Sequence, residues 1–341
     1  MPSKPFRNTR PTLAVVAQRA GTSIPTVSKA LRGGTDVAPA TRERIVKAAN
    51  ELGYTNPSDA HSADTAPTQL VDFVLSSVDN TWANRALGGV EAAAGTADLD
   101  VVITLVREGS DWAERVLRRS SIGAVLAVVG PTPQQWKRIT SAGRPLVLLD
   151  PMTSPPDGVG SVGAMNYQGG RSVAEHLLSL GHRRFGVIDV SDSYEYSRAR
   201  VDGFRSALGA AGIGLAADAV IHAQWDRDRA RAAANELLAR RERPTAVFAC
   251  TETLALGAYD AAAGLGLSIP RDLSVVGYDD LPEAGWANPP MTTVQQPIAE
   301  MGAAALRMLL RLSEHPGHDH AMREELATRL IVRESTGPAP S

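Results

Sequence analysis

Between residues 12 and 54 apolar positions recur at three- and four-residue intervals, the period of short amphipathic helices. In TLAVVAQRAG, Leu13, Val16, Ala17 and Ala20 fall on one face, Thr12 stands where an N-cap belongs, and Gly21 where the helix stops. Ser23 caps the next segment, TSIPTVSKALRGG. Pro25 lies in its first turn, where a missing N–H costs nothing, Val27 and Leu31 share a face, and Gly33 and Gly34 end it. A third helix opens near Pro39, turns Ile45, Ala48, Ala49 and Leu52 inward, and stops at Gly53. Two short helices joined by a tight Gly-containing turn and completed by a third predict a helix-turn-helix unit.

From residue 70 the pattern changes. Short apolar runs (LVDFVLS, VVITLV, GAVLAVVG, PLVLLD, RFGVIDV, TAVFAC, LSVVGYDD) alternate with amphipathic stretches such as RALGGVEAAAG, RSVAEHLLSLGH and RARAAANELLARR. Nearly continuous apolar strands alternating with helices predict parallel sheets covered on both faces. A Pro- and Gly-rich break near 151–164 divides the body into two α/β lobes. Between head and body, TNPSDAHSADTAPTQ lacks large apolar groups and reads as a linker.

Length agrees with more than one domain: 341 residues exceed the usual single unit. A hydrophobic fraction of 43% with 21% charged residues is that of a globular protein. A single cysteine, Cys250, excludes an internal disulfide framework and is expected in the core. The opening MPSKPFRNTR has no apolar run for a signal peptide and no segment reaches membrane-spanning length, so a cytoplasmic location without a membrane partner is expected. The net charge of −2 is unevenly spread. Residues 1–60 hold nine basic and four acidic side chains, leaving a basic head on an acidic body. That asymmetry is expected where only the head meets a polyanion, although a chance cluster would look the same.

With Val27 and Leu31 inward, Ile24, Pro25, Ser28 and Lys29 face outward. Lys29 has the reach for a guanine edge or a phosphate, Ile24 suits a thymine methyl, and Ser23 offers its hydroxyl and nearby N–H groups to a phosphate. The alternative is a solvated face on a packing module. The segment TLAVVAQRAGTSIPTVSKALRGGTDVAPATRERIVKAANELGY resembles the DNA-binding head of LacI-type bacterial transcription regulators. The resemblance implies that Ile24, Pro25, Ser28 and Lys29 are base-reading positions and that Ser23 and Thr26 help hold the DNA backbone. It also implies a hinge helix in the linker with a leucine wedge for the minor groove. This sequence departs from that pattern: the leucine position falls on Ala63 or Asp64, and Asp59 and Asp64 would repel phosphate.

LLSLGHRRFGVI and RPTAVFACTETLALGAYDAAAGLGLSIPRDLSVVGYDDLPEAGWANPPMTTVQQP resemble the sugar-sensing body of the same family, so the likeness runs from about Thr12 to Arg333. The fold class it implies is a small all-α helix-turn-helix head plus a two-lobed α/β periplasmic-binding-protein-like body with parallel sheets. The expected domains are 1–58 for the head, 59–69 for the linker and 70–341 for ligand binding and dimerisation. Three crossings would put about 70–164 and 295–324 in lobe one, and about 165–294 and 325–341 in lobe two. Ligand groups in such folds come from the carboxyl ends of strands. A sugar needs polar groups for its hydroxyls and an aromatic face for its C–H side. The candidates are Trp82, Asp150, Asn166, Tyr167, Arg200 (matching the family's arginine before Gly-Phe), Trp225, Glu252 (where the family usually has Asp) and Asp279. Both tryptophans could instead be half-buried packing residues, Arg200 a helix-surface arginine and Glu252 a helix-start acid. Met165 replaces an acid common in the family before Asn166.

Other chemistry finds little support. The histidines of HPGHDH (His315, His318, His320) lie in a Pro/Gly loop without partners, so no metal is expected. No phosphate loop, nucleophile elbow or zinc-protease motif occurs, and adjacent Asp279 and Asp280 make a poor acid/base pair. The sequence therefore predicts no cofactor and no enzyme. It predicts a homodimeric regulator, a repressor, that binds operator DNA and changes affinity when a small molecule, a sugar or alternatively a nucleoside or purine, fills the cleft. The competing reading is a cytosolic α/β sugar-binding protein or enzyme whose basic head does something else.

Overall fold

The computed structural model describes residues 12–31, 37–52, 54, 69–107, 109–314 and 322–340. The linker with Asp59, Ala63 and Asp64, the helix-ending Gly33, Gly34 and Gly53, and His315, His318 and His320 lie outside them. The chain divides into two compact units, Met1–Thr68 and Gln69–Ser341.

In the first unit α1 (Leu13–Ala20), α2 (Ile24–Leu31) and α3 (Pro39–Glu51) close on Val16, Ala17, Ala20, Val27, Ala30, Ile45, Ala48 and Ala49. Gly21 ends α1 in the left-handed region at φ 63°, which an L side chain adopts only with strain. The Oγ of Ser23 accepts the N–H of Thr26 at 3.3 Å, the cap expected for α2. Two details differ from expectation. Thr12 occupies the cap position of α1 but its side chain makes no capping hydrogen bond. Ala30 also joins Val27 in the buried seam, and Leu31 packs half-buried against the same core. Positions 30 and 31 straddle the direction of Val27, and the carbonyl of Ala30 is close enough to α3 to accept from Arg42 at 3.1 Å.

The second unit holds two six-stranded sheets. One contains β1 (Gln69–Leu75), β2 (Leu99–Leu105), β3 (Ser121–Ala127), β4 (Leu146–Leu149), β5 (Gly160–Ala164) and β11 (Arg323–Leu326), all parallel, in the order β11-β5-β4-β3-β1-β2. On one face lie α4 (Thr81–Thr96) and α12 (Ile298–Glu314), on the other α5 (Trp112–Leu117) and α6 (Pro133–Ser141). The other sheet contains β6 (Phe185–Asp189), β7 (Val220–His222), β8 (Ala246–Ala249), β9 (Ser274–Asp279), β10 (Thr292–Gln295) and β12 (Arg329–Ile331), in the order β12-β10-β9-β8-β6-β7. Only β12 runs antiparallel, against β10, and the short α11 (Pro282–Trp286) follows β9. Here α9 (Arg227–Leu238) and α10 (Glu252–Gly264) cover one face, α7 (Asn166–Ser179) and α8 (Glu195–Ala210) the other. Strands such as β8, AVFA, are buried on both faces, which is why they read as unbroken apolar runs.

One strand and two boundaries differ from expectation. The Pro/Gly-rich stretch read as a break contains β5, GSVGA, whose small residues fit where Met308 of α12 comes within 2.8 Å of a β-carbon built on Gly160. The third crossing falls after Leu326, because β11 pairs with β5 through Leu326 opposite Ala164, so Glu325 and Leu326 belong to lobe one. Gln295 still pairs with Asp279 in lobe two.

Two helix pairs touch backbone to backbone through reciprocal glycines. A β-carbon on Gly170 of α7 would stand 1.9 Å from the carbonyl oxygen of Arg200, and one on Gly203 of α8 would stand 1.9 Å from that of Tyr167. In lobe one, a β-carbon on Gly89 would stand 1.9 Å from the carbonyl oxygen of Ala299, and one on Gly302 would stand 2.4 Å from that of Ala86. These contacts lock α8 on α7, and α4 on α12.

Candidate ligand-binding cleft and nucleic-acid interface

In the first unit, α2 turns Ile24, Pro25 and Lys29 to solvent, with Ile24 48% exposed, and leaves Thr26 and Ser28 half-buried. Ser23 and Thr26 also pair through their hydroxyls at 2.8 Å, so both serve the helix start. The exposed face combines an apolar branch, a proline ring without an N–H, and an ammonium. That set suits a thymine methyl and a guanine or phosphate more than a bidentate amide reading of adenine.

In the second unit a cleft of 380 Å³ lies between the lobes at the carboxyl ends of both sets of strands. Lobe one supplies Ser76, Ser77, Asn80, Trp82, Val128 and Asp150; lobe two supplies Tyr196, Arg200, Trp225, Thr251, Thr253 and Asp279. Of the candidates, Trp82, Asp150, Arg200, Trp225 and Asp279 line this cleft. Asn166 and Tyr167 border a neighbouring cavity of 150 Å³ that shares Asp150 and Tyr196. Glu252 lines neither.

Arg200 is the hub. It is 1% exposed, its Nε donates to Asn166 Oδ1 at 2.8 Å, and its Nη1 donates to the Cys250 carbonyl at 2.6 Å and stands 3.4 Å from Asp279 Oδ1. Its guanidinium lies 3.8 Å from the ring centre of Tyr278 and 5.1 Å from that of Tyr196. The neighbouring carboxylates and Tyr278 hold it charged against the cost of burial. Alongside the guanidinium, Asn166 also counters the upward push of burial on the Asp150 carboxyl at the end of β4. Trp225 stacks on Tyr194 at 5.0 Å and keeps 46% of its surface exposed.

The carboxyl groups differ in state. Burial pushes Asp279 up to about 6 against the pull of Arg200, and it raises Asp150 despite Arg200 and Asn166. Glu252 is pushed well above the carboxylate range, first by burial and then by Asp279 beside it. Its Oε1 accepts the N–H of Asp280 at 2.7 Å and the hydroxyl of Thr293 at 2.6 Å, so it braces the turn after β9 instead of facing a ligand. A side chain one carbon longer than aspartate reaches this turn. Cys250 is buried and its thiol is pushed up, as a core residue would be.

Five of the six non-glycine residues with positive φ among the described residues cluster here: Val128 (49°), Asp150 (49°), Gln224 (55°), Asp279 (108°) and Asp280 (55°). For Val128, whose branched side chain disfavours that region, the strain is pronounced. Such strain concentrates where a backbone must aim groups at a ligand. The same turn joins the lobes. Arg85 of α4 donates to the Asp280 carbonyl at 2.8 Å, and Thr81 donates to Glu283 at 2.6 Å. Arg333 and Gln295 hold the Asp280 carboxylate at 2.6 and 2.8 Å.

Sequence reasoning missed Tyr196, Asn80, Ser76, Ser77, Thr251 and Thr253. Tyr196 was findable, since it precedes Arg200 by four residues and shares its helix face. Ser76, Ser77 and Thr251 directly follow strand ends, whereas Asn80 sits there only because it caps α4, accepting the N–H of Ala83 at 2.8 Å.

Hydroxyl donors on a ligand bind better to an ionised acceptor. Ligand affinity is therefore expected to fall as pH drops through 6, where Asp279 takes a proton, and Asp279→Asn should flatten that dependence in a calorimetric titration from pH 5 to 7.5.

Comparison with known proteins places these units in a family context. Residues 12–57 match the model for bacterial regulatory proteins of the lacI family, and residues 174–336 match the periplasmic binding protein-like domain. The chain is 34% identical over 343 residues to the HTH-type transcriptional regulator CelR of Thermobifida fusca, covering 96% of this chain and 99% of that one. It is 29% identical to the ribose operon repressor of Haemophilus influenzae over 95% of this chain and 98% of that one. Among solved structures, the CelR–cellobiose complex matches with a TM-score of 0.72 and 31% identity, over 96% of this chain and all of that one. The lac repressor dimer bound to operator and the anti-inducer ONPF matches with a TM-score of 0.73 and 26% identity at the same coverage. Among the described residues no helix is long and apolar enough to cross a membrane.

Proposed function

The chain belongs to the LacI family of bacterial regulatory proteins, and from that premise we propose that it is a homodimeric repressor whose grip on operator DNA is set by a sugar held in the interlobe cleft. It is a DNA-binding transcription regulator. The proposal concerns the residues, the effector and the direction of control.

One observation carries the sugar reading: buried Arg200 between two carboxyl groups, Asp150 and Asp279, at the bottom of a cleft with two tryptophans on its walls. The Oδ1 of Asp150 is buried with no hydrogen-bond partner, which calls for a donor such as a sugar hydroxyl. Trp82 and Trp225 come from opposite lobes, and an indole face suits the C–H side of a pyranose. Cellobiose is bound in the CelR complex, and ribose in a LacI-family regulator from Enterococcus faecium, which is 26% identical. A regulator needs no catalytic group. A ligand touching both lobes favours one relative arrangement of them, and operator affinity changes by the same coupling.

On the DNA side, Ser23, Ile24, Pro25, Thr26, Ser28 and Lys29 form the reading surface, with Lys29 its polar reader. Lys29→Ala is expected to weaken operator binding by about 1–3 kcal/mol and to relax preference at one base pair. Fluorescence anisotropy with single-base operator variants measures both effects. Equal weakening across all variants would mark Lys29 as a phosphate contact.

The direct test is binding of the purified chain to DNA upstream of its own coding sequence, over a range of salt, with and without sugars. Selective, salt-sensitive binding that one sugar alters supports the whole reading. Selective binding that no sugar alters keeps the DNA role and removes the sugar.

A further inference from the structure

The charges around the cleft say more than that a sugar fits. We infer that the effector is an uncharged saccharide, sensed before any phosphorylation or oxidation to a sugar acid. The inference rests on the sugar reading above and narrows its chemical class.

Among the lining residues Arg200 is the single cation, and it is already committed. Its Nε serves Asn166, its Nη1 serves the Cys250 carbonyl beside Asp279, and its two faces lie near Tyr278 and Tyr196. Phosphate and carboxylate are held best by two parallel N–H groups of one guanidinium. With Nε and Nη1 both engaged, neither edge of Arg200 offers that fork. What remains is the pair of diverging N–H groups on Nη2, which suit separate hydroxyl oxygens and not the two oxygens of one anion.

Helix starts are the other usual seat for an anion. Three longer helices start at the cleft, α4, α8 and α10. A capping side chain takes up one N–H at two of them: Asn80 accepts the Ala83 N–H at the start of α4, and Thr251 accepts the Leu254 N–H at 3.3 Å at the start of α10. The Met152 carbonyl takes the first N–H of α8 at 2.8 Å. The acceptors, by contrast, are in surplus. Asp150 presents a buried unpartnered oxygen, Asp279 answers Arg200, and the adjoining cavity adds Glu195, Glu324 and Glu325 against Arg323. At neutral pH, with Asp279 ionised, the walls carry no net positive charge, so a phosphate dianion would meet carboxylate on several sides and a fork on none.

The position of the regulator in metabolism follows. Its signal is a substrate of the first kinase or glycosidase step that acts on the incoming sugar, not the product of a phosphoryl transfer.

Calorimetry on the full chain tests this with paired probes: trehalose and trehalose 6-phosphate, glucose and glucose 6-phosphate, glucose and glucuronate, and the neutral disaccharides cellobiose and maltose. The expected result is that at least one neutral sugar binds, and that adding phosphate or carboxylate to any binder weakens it on the order of 100-fold or more. A phosphorylated or acidic sugar that binds as well as, or better than, its neutral counterpart overturns the inference and leaves the sugar reading intact. Binding of adenine or hypoxanthine with no saccharide bound overturns both.

Discussion

Gly203→Ala and Gly209→Ala, six residues apart on α8, should move stability in opposite directions. Alanine is the better helix former by up to about 1 kcal/mol, and Gly209 faces open space, so its replacement should be neutral to stabilising. At Gly203 the new methyl would stand 1.9 Å from the carbonyl oxygen of Tyr167 and 3.0 Å from the N–H nitrogen of Arg171. Both obstacles are backbone, which no rotamer change relieves, and Gly170 imposes the same limit from the other helix. The helices would have to part along their contact. Overpacking of this kind costs about 1–3 kcal/mol and occasionally more; a contact made wholly of backbone belongs at the upper end. At roughly 2–4 °C per kcal/mol, the melting temperature should fall by more than about 5 °C. The two variants side by side in a thermal scan measure this, and equal melting points would refute the helix-contact account.

Arg200→Ala should abolish the response to effector while operator binding survives at permissive temperature. The guanidinium answers Asp279, Asn166 and the Cys250 carbonyl at once, and removing it leaves two buried carboxyl groups without their cation. Breaking a buried pair from one side costs about 3–5 kcal/mol. The sign with pH is fixed by the carboxyl groups. Both have folded-state values raised above their ordinary range, so each favours the folded chain when protonated and loses that advantage as pH rises through the folded value. Without Arg200 those values rise further, and the penalty should be larger at pH 7.5 than at pH 5. Effector affinity should drop at least about 100-fold, more than the loss of one hydrogen bond, because Asn166, Asp279 and the Cys250 carbonyl lose their shared donor together. Calorimetry for the sugar, anisotropy for the operator and melting at two pH values separate these effects. A variant that still responds to effector would remove Arg200 from the site.

These two positions show what a sequence can and cannot display. Arg200 was legible because it matches a family motif, and Asp150 and Asp279 because each ends an apolar run that could only be a buried strand. Trp82 and Trp225 were placed by the same reasoning. Glu252 misled because a carboxylate after a strand looks like a ligand group. Only the turn at Asp280 reveals that the longer side chain folds back to brace the backbone. Strand β5 was hidden since Gly160, Ser161 and Gly163 carry no β-forming signal, and Gly160 is small to admit Met308 of α12. Strand β11, REEL, is charged because it lies at a sheet edge with three exposed residues. The positive φ angles at Val128, Asp150 and Asp279 leave no trace in residue identity, as none of them is glycine.

The turn from Asp279 to Glu283 does two jobs with separate atoms. Asp279 faces the cleft, while the Asp280 carbonyl and the Glu283 carboxylate tie lobe two to Arg85 and Thr81 of lobe one. Recognition and closure can therefore be tuned independently. Weakening the tie with Thr81→Val or Arg85→Gln should shift the dose at which gene expression half-responds, while the ranking of sugars stays as it was. Changes at Trp82 or Trp225 should reorder the ranking. For anyone building a reporter strain on this protein, sensitivity would be a dial on the rim of the cleft and selectivity a dial inside it.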